Sequence, residues 1–372
     1  MPIPGASGHV KGKRRSDYGL AATNYQLSKV LAMKLTAQMV KDFGLSTGLD
    51  MVGIAPVSRF AGAPDQMNPA LIWPKAKSVI VVLRRIPRGT YRGIEEGTHW
   101  SNYTFFAYNR LNNLFRPKGT YETACFIEDH GFDAIPIYPG VPEAMPRLAP
   151  LREGQPGPDI YPAIRIAGVA AGLGEIGWSK VFLTKKFGPR QRLGMIVTDA
   201  ELEPDPLLEP SICKRCMACV RDCPGHAIPH AKENKVVRIQ IEDNTYEWGD
   251  VDMGKCTLTH HGLNVEASPF LARDCPGLRL NVAKQKCSEE EAYKLAYTIA
   301  GGTWRKTEEF PSGRLVDYYK TMLSTTGYYA VCGAKGCIRA CMIELEKRGI
   351  IESQFENEFR KREAWVIPPP EG

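Results

Sequence analysis

Cys213, Cys216, Cys219 and Cys223 stand at C-x2-C-x2-C-x3-C spacing, with Pro224 directly after the last. A Cys-x-x-Cys step puts two thiolates on one tight turn, and three thiolates at this interval wrap three corners of an iron–sulfur cubane. The fourth is expected on the following helix, reaching a different cluster. A zinc site is the competing reading, but zinc knuckles generally pair two separate C-x-x-C units. The motif predicts 4Fe–4S chemistry, the storage and transfer of single electrons.

Crossed ligation requires a second set of thiolates, and Cys332, Cys337 and Cys341 supply one at C-x4-C-x3-C spacing, ahead of an expected helix over Met342–Arg348. The crossing rule gives one cluster as Cys213, Cys216, Cys219 and Cys341. The other takes Cys223, Cys332 and Cys337 and needs one more ligand, for which Cys256, Cys275 and Cys287 are candidates. About 110 residues separate the two motifs, so an insertion lies between them. Cys125 sits in an apolar helical stretch and reads as a core thiol. His260 and His261 lie close to Cys256, placed either to tune a cluster or at the surface.

The elements that position these residues follow from pattern. The chain has 372 residues, 43% hydrophobic and 24% charged, as expected of a soluble globular protein longer than a ferredoxin. Its eleven cysteines are an odd number at tight local spacings, which argues for metal binding in a reducing cytoplasm rather than a disulfide framework. The net charge of +7 is spread too thinly for a nucleic-acid stripe. No apolar run approaches the roughly 18 residues of a membrane span. Residues 1–20 read as a basic tail; Arg14-Arg15 lacks the apolar region a secretion signal needs.

Helical periodicity is expected over Asn24–Phe43, stopping at Gly44, and over Tyr103–Leu114 and Tyr121–His130. Met51–Ala55, Ser78–Leu83, Phe132–Tyr138 and Arg192–Thr198 read as strands. Pro139–Pro162 reads as a long site-lining loop. The mixture predicts an α/β or α+β domain over 21–203. Pro- and acid-rich Glu201–Pro210 marks a junction to a cluster-bearing domain over 204–372.

Gly172-Leu173-Gly174-Glu175-Ile176-Gly177 satisfies G-x-G-x-x-G. A dinucleotide fold needs an apolar strand just before it and a helix opening at it. The small residues Ala167–Ala171 fit close packing better. The turn is expected to let backbone approach another body closely, such as a large flat cofactor.

Ala170–Gly177, Phe187–Gly194, Val197–Leu202 and Cys213–Pro224, in that order, resemble the superfamily of corrinoid-dependent epoxyqueuosine reductases and reductive dehalogenases. The resemblance covers roughly residues 45–345. It implies a nitroreductase-like corrinoid-binding domain followed by a bacterial-ferredoxin-like two-cluster domain, with cobalamin or a related corrinoid beside a cluster. It implies Cys256 as the remaining cluster ligand. Gly172, Leu173, Gly174, Glu175 and Gly177 then form the turn beside the corrin ring. Tyr103 and Tyr108, in an aromatic segment with Trp100, Phe105 and Phe106, read either as cavity lining or as plain core.

Proton donors are implied at Asp159, in a segment similar to the family's Asp-x-x-Pro, or at Tyr161. An Asp159 buried beside a cofactor would donate at neutral pH; the plainer reading is a turn aspartate after Gly157-Pro158. Trp178 stands where the family usually has a basic residue after Gly177; either Lys180 replaces that charge or the pocket accepts a different and flatter molecule. The resemblance implies a small organic epoxide or organohalide as substrate, with nucleic acid only in the form of a tRNA substrate. A ferredoxin or flavodoxin is the expected electron donor. The competing readings are a non-enzymatic electron carrier or corrinoid-reducing activator, and a flavin or nicotinamide oxidoreductase.

Overall fold

The computed structural model describes residues 34–137, 149–268, 271, 280–300, 330 and 332–360. The expected basic tail, residues 24–33 of the first helix, part of the long loop and Cys275 lie outside the described residues. Thr36 caps the first helix, α1 (Ala37–Ser46), its hydroxyl accepting from the Met39 N–H at 3.2 Å. The helix continues through Gly44 instead of stopping there. A side chain at that position would come within 2.9 Å of Val52, so the glycine allows close docking on the next strand.

That strand, β1 (Met51–Pro56), pairs antiparallel with β2 (Ser78–Arg85), Val52 opposite Val82 and Ile54 opposite Ile80. A short helix α2 (Arg92–Glu96) and a helical run over 101–115 lead into α3 (Arg116–Glu128). The run crosses Pro117 without breaking. Pro117 falls in the first turn of α3, where no N–H is required, and π-helical turns at Thr104–Asn109 and Leu111–Phe115 carry the chain up to it.

Next come β3 (Ala134–Ile137), α4 (Ile164–Ala170), a small hairpin of β4 (Glu175–Ile176) and β5 (Phe182–Leu183), and β6 (Gln191–Thr198). The sheet order is β1-β2-β6-β3, every pairing antiparallel, so the fold is α+β. Ser78–Leu83 of β2 is fully buried because its β-branched run packs on both faces. Ile80 and Val82 meet α1 and α3 residues Val40, Ala124 and Ile127. Val79, Val81 and Leu83 meet Ala167, Val169, Phe182 and Trp248 on the other side. Each such side chain contributes about 1.5–3 kcal/mol by leaving water.

Residues 201–210, expected as a junction, form no helix or strand, but they are fastened to β1. The Asp205 carboxylate accepts the Ile54 N–H at 2.8 Å and the Lys41 Nζ at 2.6 Å, and the Asp205 N–H donates to the Ile54 carbonyl. Beyond it lie α5 (Ala218–Arg221), the hairpin β7 (Val236–Ile241) and β8 (Asn244–Gly249), α6 (Met253–His260), α7 (Glu289–Ala300), α8 (Cys332–Lys335) and α9 (Cys337–Lys347). Apolar side chains of α9, Ile338 and Met342, pack with Tyr91, Tyr103 and Leu111, joining the second cysteine motif to the helical run 101–115.

Candidate metal centre

The first cysteine motif is a loop around one short helical turn. Arg215 and Met217 have left-handed backbone, φ 50° and 59°, which curls the loop back before α5. Cys219 lies in α5, and Cys223 falls just beyond its end rather than on a helix as expected. The Cys223 sulfur accepts the Ala227 N–H at 3.4 Å, and the Pro224 carbonyl accepts from Asn264 Nδ2 at 2.7 Å.

The second motif crosses the first at Gly336. A side chain there would come within 2.9 Å of Pro224 Cδ and 3.1 Å of the Asp222 carbonyl, so the turn between α8 and α9 lies directly against the Cys223-Pro224 bend. This crossing sorts the thiols. The Cys341 thiol is raised by burial and then by neighbouring Cys213, Cys219 and Cys216. Cys332 is raised by burial, then by Cys256, Cys337 and Cys223. Cys337 is raised by burial, then by Cys223, Cys256, Cys219 and Cys341, which places it where the two groups adjoin.

Burial pushes Cys219 up to about 12, with Cys213 and Cys216 adding to the rise and a Ser179 hydrogen bond opposing it. Burial and then Cys223 push Cys256 up to about 12, against the pull of Arg165 and Lys180. Cys287 stands apart: its thiol is raised by burial, Asp252 and Glu291, with no cysteine among the causes. Buried neutral thiols must release their protons when they bind metal. Among the described residues, no three His, Cys, Asp or Glu side chains converge on a single metal-ion position.

The hairpin β4–β5 faces this centre. The Glu175 carboxylate accepts the backbone N–H groups of Ser211 at 2.6 Å, Ile212 at 3.0 Å and Cys213 at 2.6 Å. The Trp178 N–H points at the Cys213 sulfur at 3.4 Å, and its indole N–H donates to the Pro229 carbonyl at 2.8 Å. Trp178 is buried in the apolar cluster that also holds Met217 and Cys219, flanked by Cys223, Cys256 and Cys337. Lys180 has left-handed backbone, φ 63°, and its N–H closes the turn onto the Gly177 carbonyl at 2.8 Å. Its charge acts on Cys256.

The glycine turn is not a dinucleotide-binding turn. Helix α4 precedes it and β4 lies within it, the reverse of the dinucleotide order. A side chain at Gly172 would collide with the Pro206 carbonyl, one at Gly174 with the Leu183 carbonyl and one at Gly177 with the Leu183 side chain. The close approach these glycines permit is to the chain itself. Leu173 is buried in the core against Gly53.

Tyr103 and Tyr108 do lie by the thiols. Their rings are 5.5 Å apart, the Arg192 guanidinium sits 4.0 Å over Tyr108, and Tyr108 meets His260 at 4.8 Å. His260 Nδ1 is 3.5 Å from the Cys332 sulfur, so this histidine is buried against a thiol rather than at the surface. Burial, then His261, Arg192 and Arg165, holds it well below the usual imidazole range. Burial raises Tyr103 well above the usual phenol range, Tyr108 and Tyr91 adding to it; Tyr108 is raised by burial against Arg192. Tyr91, 5.1 Å from Tyr103, has a buried hydroxyl with no hydrogen-bond partner among the described residues.

Asp159, expected in a dry setting, is exposed, and the Tyr161 hydroxyl donates to its Oδ2 at 3.1 Å. The Tyr161 N–H donates to the Gln66 carbonyl at 3.0 Å, and Gln66 Nε2 donates to the Gly157 carbonyl at 2.8 Å and to the Asp159 carbonyl. Sequence reasoning missed Arg165, Arg192, Ser179 and the inward role of Trp178. Arg192 falls inside the Phe187–Gly194 segment and Trp178 directly follows the glycine motif, but only the folded hairpin and the sheet end bring these side chains to the thiols.

Fold and site thus define an α+β protein built around two adjoining sets of cysteine thiols. No family model matches the chain. Over 95 residues it is 38% identical to tetrachloroethene reductive dehalogenases of Dehalobacter restrictus and Desulfitobacterium hafniense. The match covers 24% of this chain and 17% of each of those relatives, so it spans only a small part of their length.

Among solved structures, one is a reductive dehalogenase whose structure suggests a mechanism for B12-dependent dehalogenation. It is 15% identical, with TM-score 0.44, over 95% of this chain and 46% of that one. Epoxyqueuosine reductase from Bacillus subtilis is 14% identical, with TM-score 0.40, over 88% and 83%.

Proposed function

We propose that this chain is a cytoplasmic, corrinoid-dependent iron–sulfur reductase that takes electrons from a ferredoxin or flavodoxin. Its substrate would be a small organic molecule, reduced by dehalogenation or epoxide deoxygenation. The observation that carries the reading is the sorting of eight thiols into two crossed sets, Cys213, Cys216, Cys219 and Cys341 beside Cys223, Cys256, Cys332 and Cys337. The donor chemistry fits: soft thiolates in fours are what a 4Fe–4S cluster requires. Cys256 is assigned the fourth place in the second set because it lies by Cys223 and Cys332, whereas the charged neighbours of Cys287 are Asp252 and Glu291.

On the side where a Cβ would point, the Gly172–Gly177 turn is packed against the chain's own residues 183 and 206. We assign the corrinoid side to Tyr103, Tyr108, Arg192 and His260, next to Cys332, where the Tyr91 hydroxyl is also left unsatisfied. When bound, the two clusters supply one-electron storage and the corrinoid supplies cobalt-centred reduction.

The chain's own residues supply the setting. Trp178, Met217 and Val251 keep the space among the thiols dry. Arg165 and Lys180 offset the negative charge gathered at the second set. Buried Tyr103 keeps its hydroxyl proton at neutral pH, which suits a hydrogen-bond donor held at the acceptor side. Asp159 and Tyr161, hydrogen-bonded to each other, form a solvent-accessible pair suited to passing a proton inward. In domain terms, residues 21–203 would carry the corrinoid and substrate and 204–372 the clusters.

A second reading is favoured by the glycine turn's packing on the chain itself: an electron carrier or corrinoid-reducing activator that holds no corrinoid of its own. Anaerobically purified protein, analysed for iron and then for cobalt after incubation with cobalamin, separates the two. About eight irons per chain with bound cobalamin and substrate turnover support the reductase. The same iron with no cobalamin retained supports the carrier, and an iron-free protein contradicts both.

A further inference from the structure

We infer that Glu175 is a positioning residue for the cluster of Cys213, Cys216, Cys219 and Cys341, fixing the Cys213 limb and lowering that cluster's reduction potential through its buried charge. The inference rests on the iron–sulfur reading above and reassigns Glu175 from the corrin turn.

Glu175 is only 4% exposed and lies in β4, held in register opposite Leu183 of β5. Its two oxygens take three backbone N–H groups in succession, from Ser211, Ile212 and Cys213. Residues 201–212 form no helix or strand, so these amides have no ladder to join. A carboxylate is an acceptor only, and it satisfies all three at once. The last of the three belongs to the first cysteine, so the carboxylate sets where that thiol begins.

The same hairpin then addresses the sulfurs. Three residues on, the Trp178 N–H reaches the Cys213 sulfur at 3.4 Å, and the Ser179 side chain hydrogen-bonds Cys219. Hydrogen bonds to sulfur and net local charge are two of the quantities that set a cluster's potential. Hydrogen bonds ease the arrival of an electron, and a nearby buried negative charge opposes it. Among the described residues Glu175 has no salt-bridge partner; its carboxylate is held by main-chain N–H groups alone in a poorly solvated place.

The test is an EPR-monitored redox titration of anaerobic wild-type protein, Glu175→Gln and Glu175→Asp, with iron counted in each. Wild-type iron content checks the underlying reading first, since an iron-free wild type defeats that reading and not this one alone. In Glu175→Gln the midpoint of one cluster should rise while the other stays. Glu175→Asp keeps the charge and shortens the reach, so its midpoint should stay near wild type even where cluster retention falls. If Glu175→Gln holds only half the iron, with the second cluster's signal intact, the limb-fixing role is supported. An unchanged midpoint in Glu175→Gln overturns the inference, as does an equal rise in Glu175→Asp or loss of both clusters together.

Discussion

Gly336 and Pro224 meet so closely that a side chain at residue 336 would stand 2.9 Å from Pro224 Cδ. The contact joins the bend after the first cysteine motif to the turn inside the second. It is why Cys341 has thiols of the first motif as neighbours and Cys332 has Cys223.

Gly336→Ala should wedge the two motifs apart. Overpacking of this kind costs about 1–3 kcal/mol. Because both sets depend on the crossing, both clusters should be lost more readily. Iron remaining after timed exposure to a chelator, followed by the visible absorbance, is the readout.

The second set can be tested at its uncertain member. Cys256→Ala should lower iron from about eight to about four per chain, whereas Cys287→Ala should leave it unchanged. Cys287 packs on Gly254, two residues before Cys256, so the pair controls for disturbance of the same helix.

Glu95 is a lock on the end of the described chain. Its side chain is fully buried, 3.1 Å from Arg92 and 3.6 Å from Arg339, and it accepts the Arg360 N–H at 2.6 Å. Burial lowers Arg339, with Glu95 holding it up. Glu95→Ala leaves the half-buried Arg92 and Arg339 guanidinium groups without their carboxylate and should destabilise by about 3 kcal/mol, the lower end of the cost of breaking a buried pair. Arg339→Ala alone should cost less, since Arg92 and Arg360 still face the carboxylate. Thermal melts of the iron-loaded proteins check the order.

His261 gives a pH dependence. Burial lowers its pKa to about 4, while the unfolded chain titrates near the ordinary 6.5. Its contribution to stability is fully present above pH 6.5. It declines as pH falls towards 4, because only the unfolded state takes up the proton in that window. Melting temperature should fall from pH 7 to pH 5, and His261→Phe should fall less over the same range.

Much of the frame was legible in sequence. Ser78–Leu83 and Arg192–Thr198 are runs that suit only a strand buried on both faces, and they became the central pair β2 and β6. The first cysteine spacing was legible because its ligands share one loop. Helix α4 was not, since the small residues of 164–170 carry no amphipathic stripe and their helix is decided by packing under Leu193 and Phe182. The helix expected to end at Leu114 runs on through Pro117 because a proline in a first turn and one in a helix interior look alike in sequence. At the glycine turn, the spacing reports only that some backbone comes close, not which. Here that backbone belongs to residues 183 and 206. Glu175 was hidden for a related reason: main-chain amides leave no residue-type signal.

The central claim is that the two motifs exchange ligands, and Cys341→Ala tests it most directly. Iron analysis and EPR of the anaerobic protein should show about eight irons in wild type and about four in the variant. The surviving signal should be the one that Cys256→Ala abolishes. Full iron in Cys341→Ala, or loss of the same signal in both variants, would contradict the crossed arrangement.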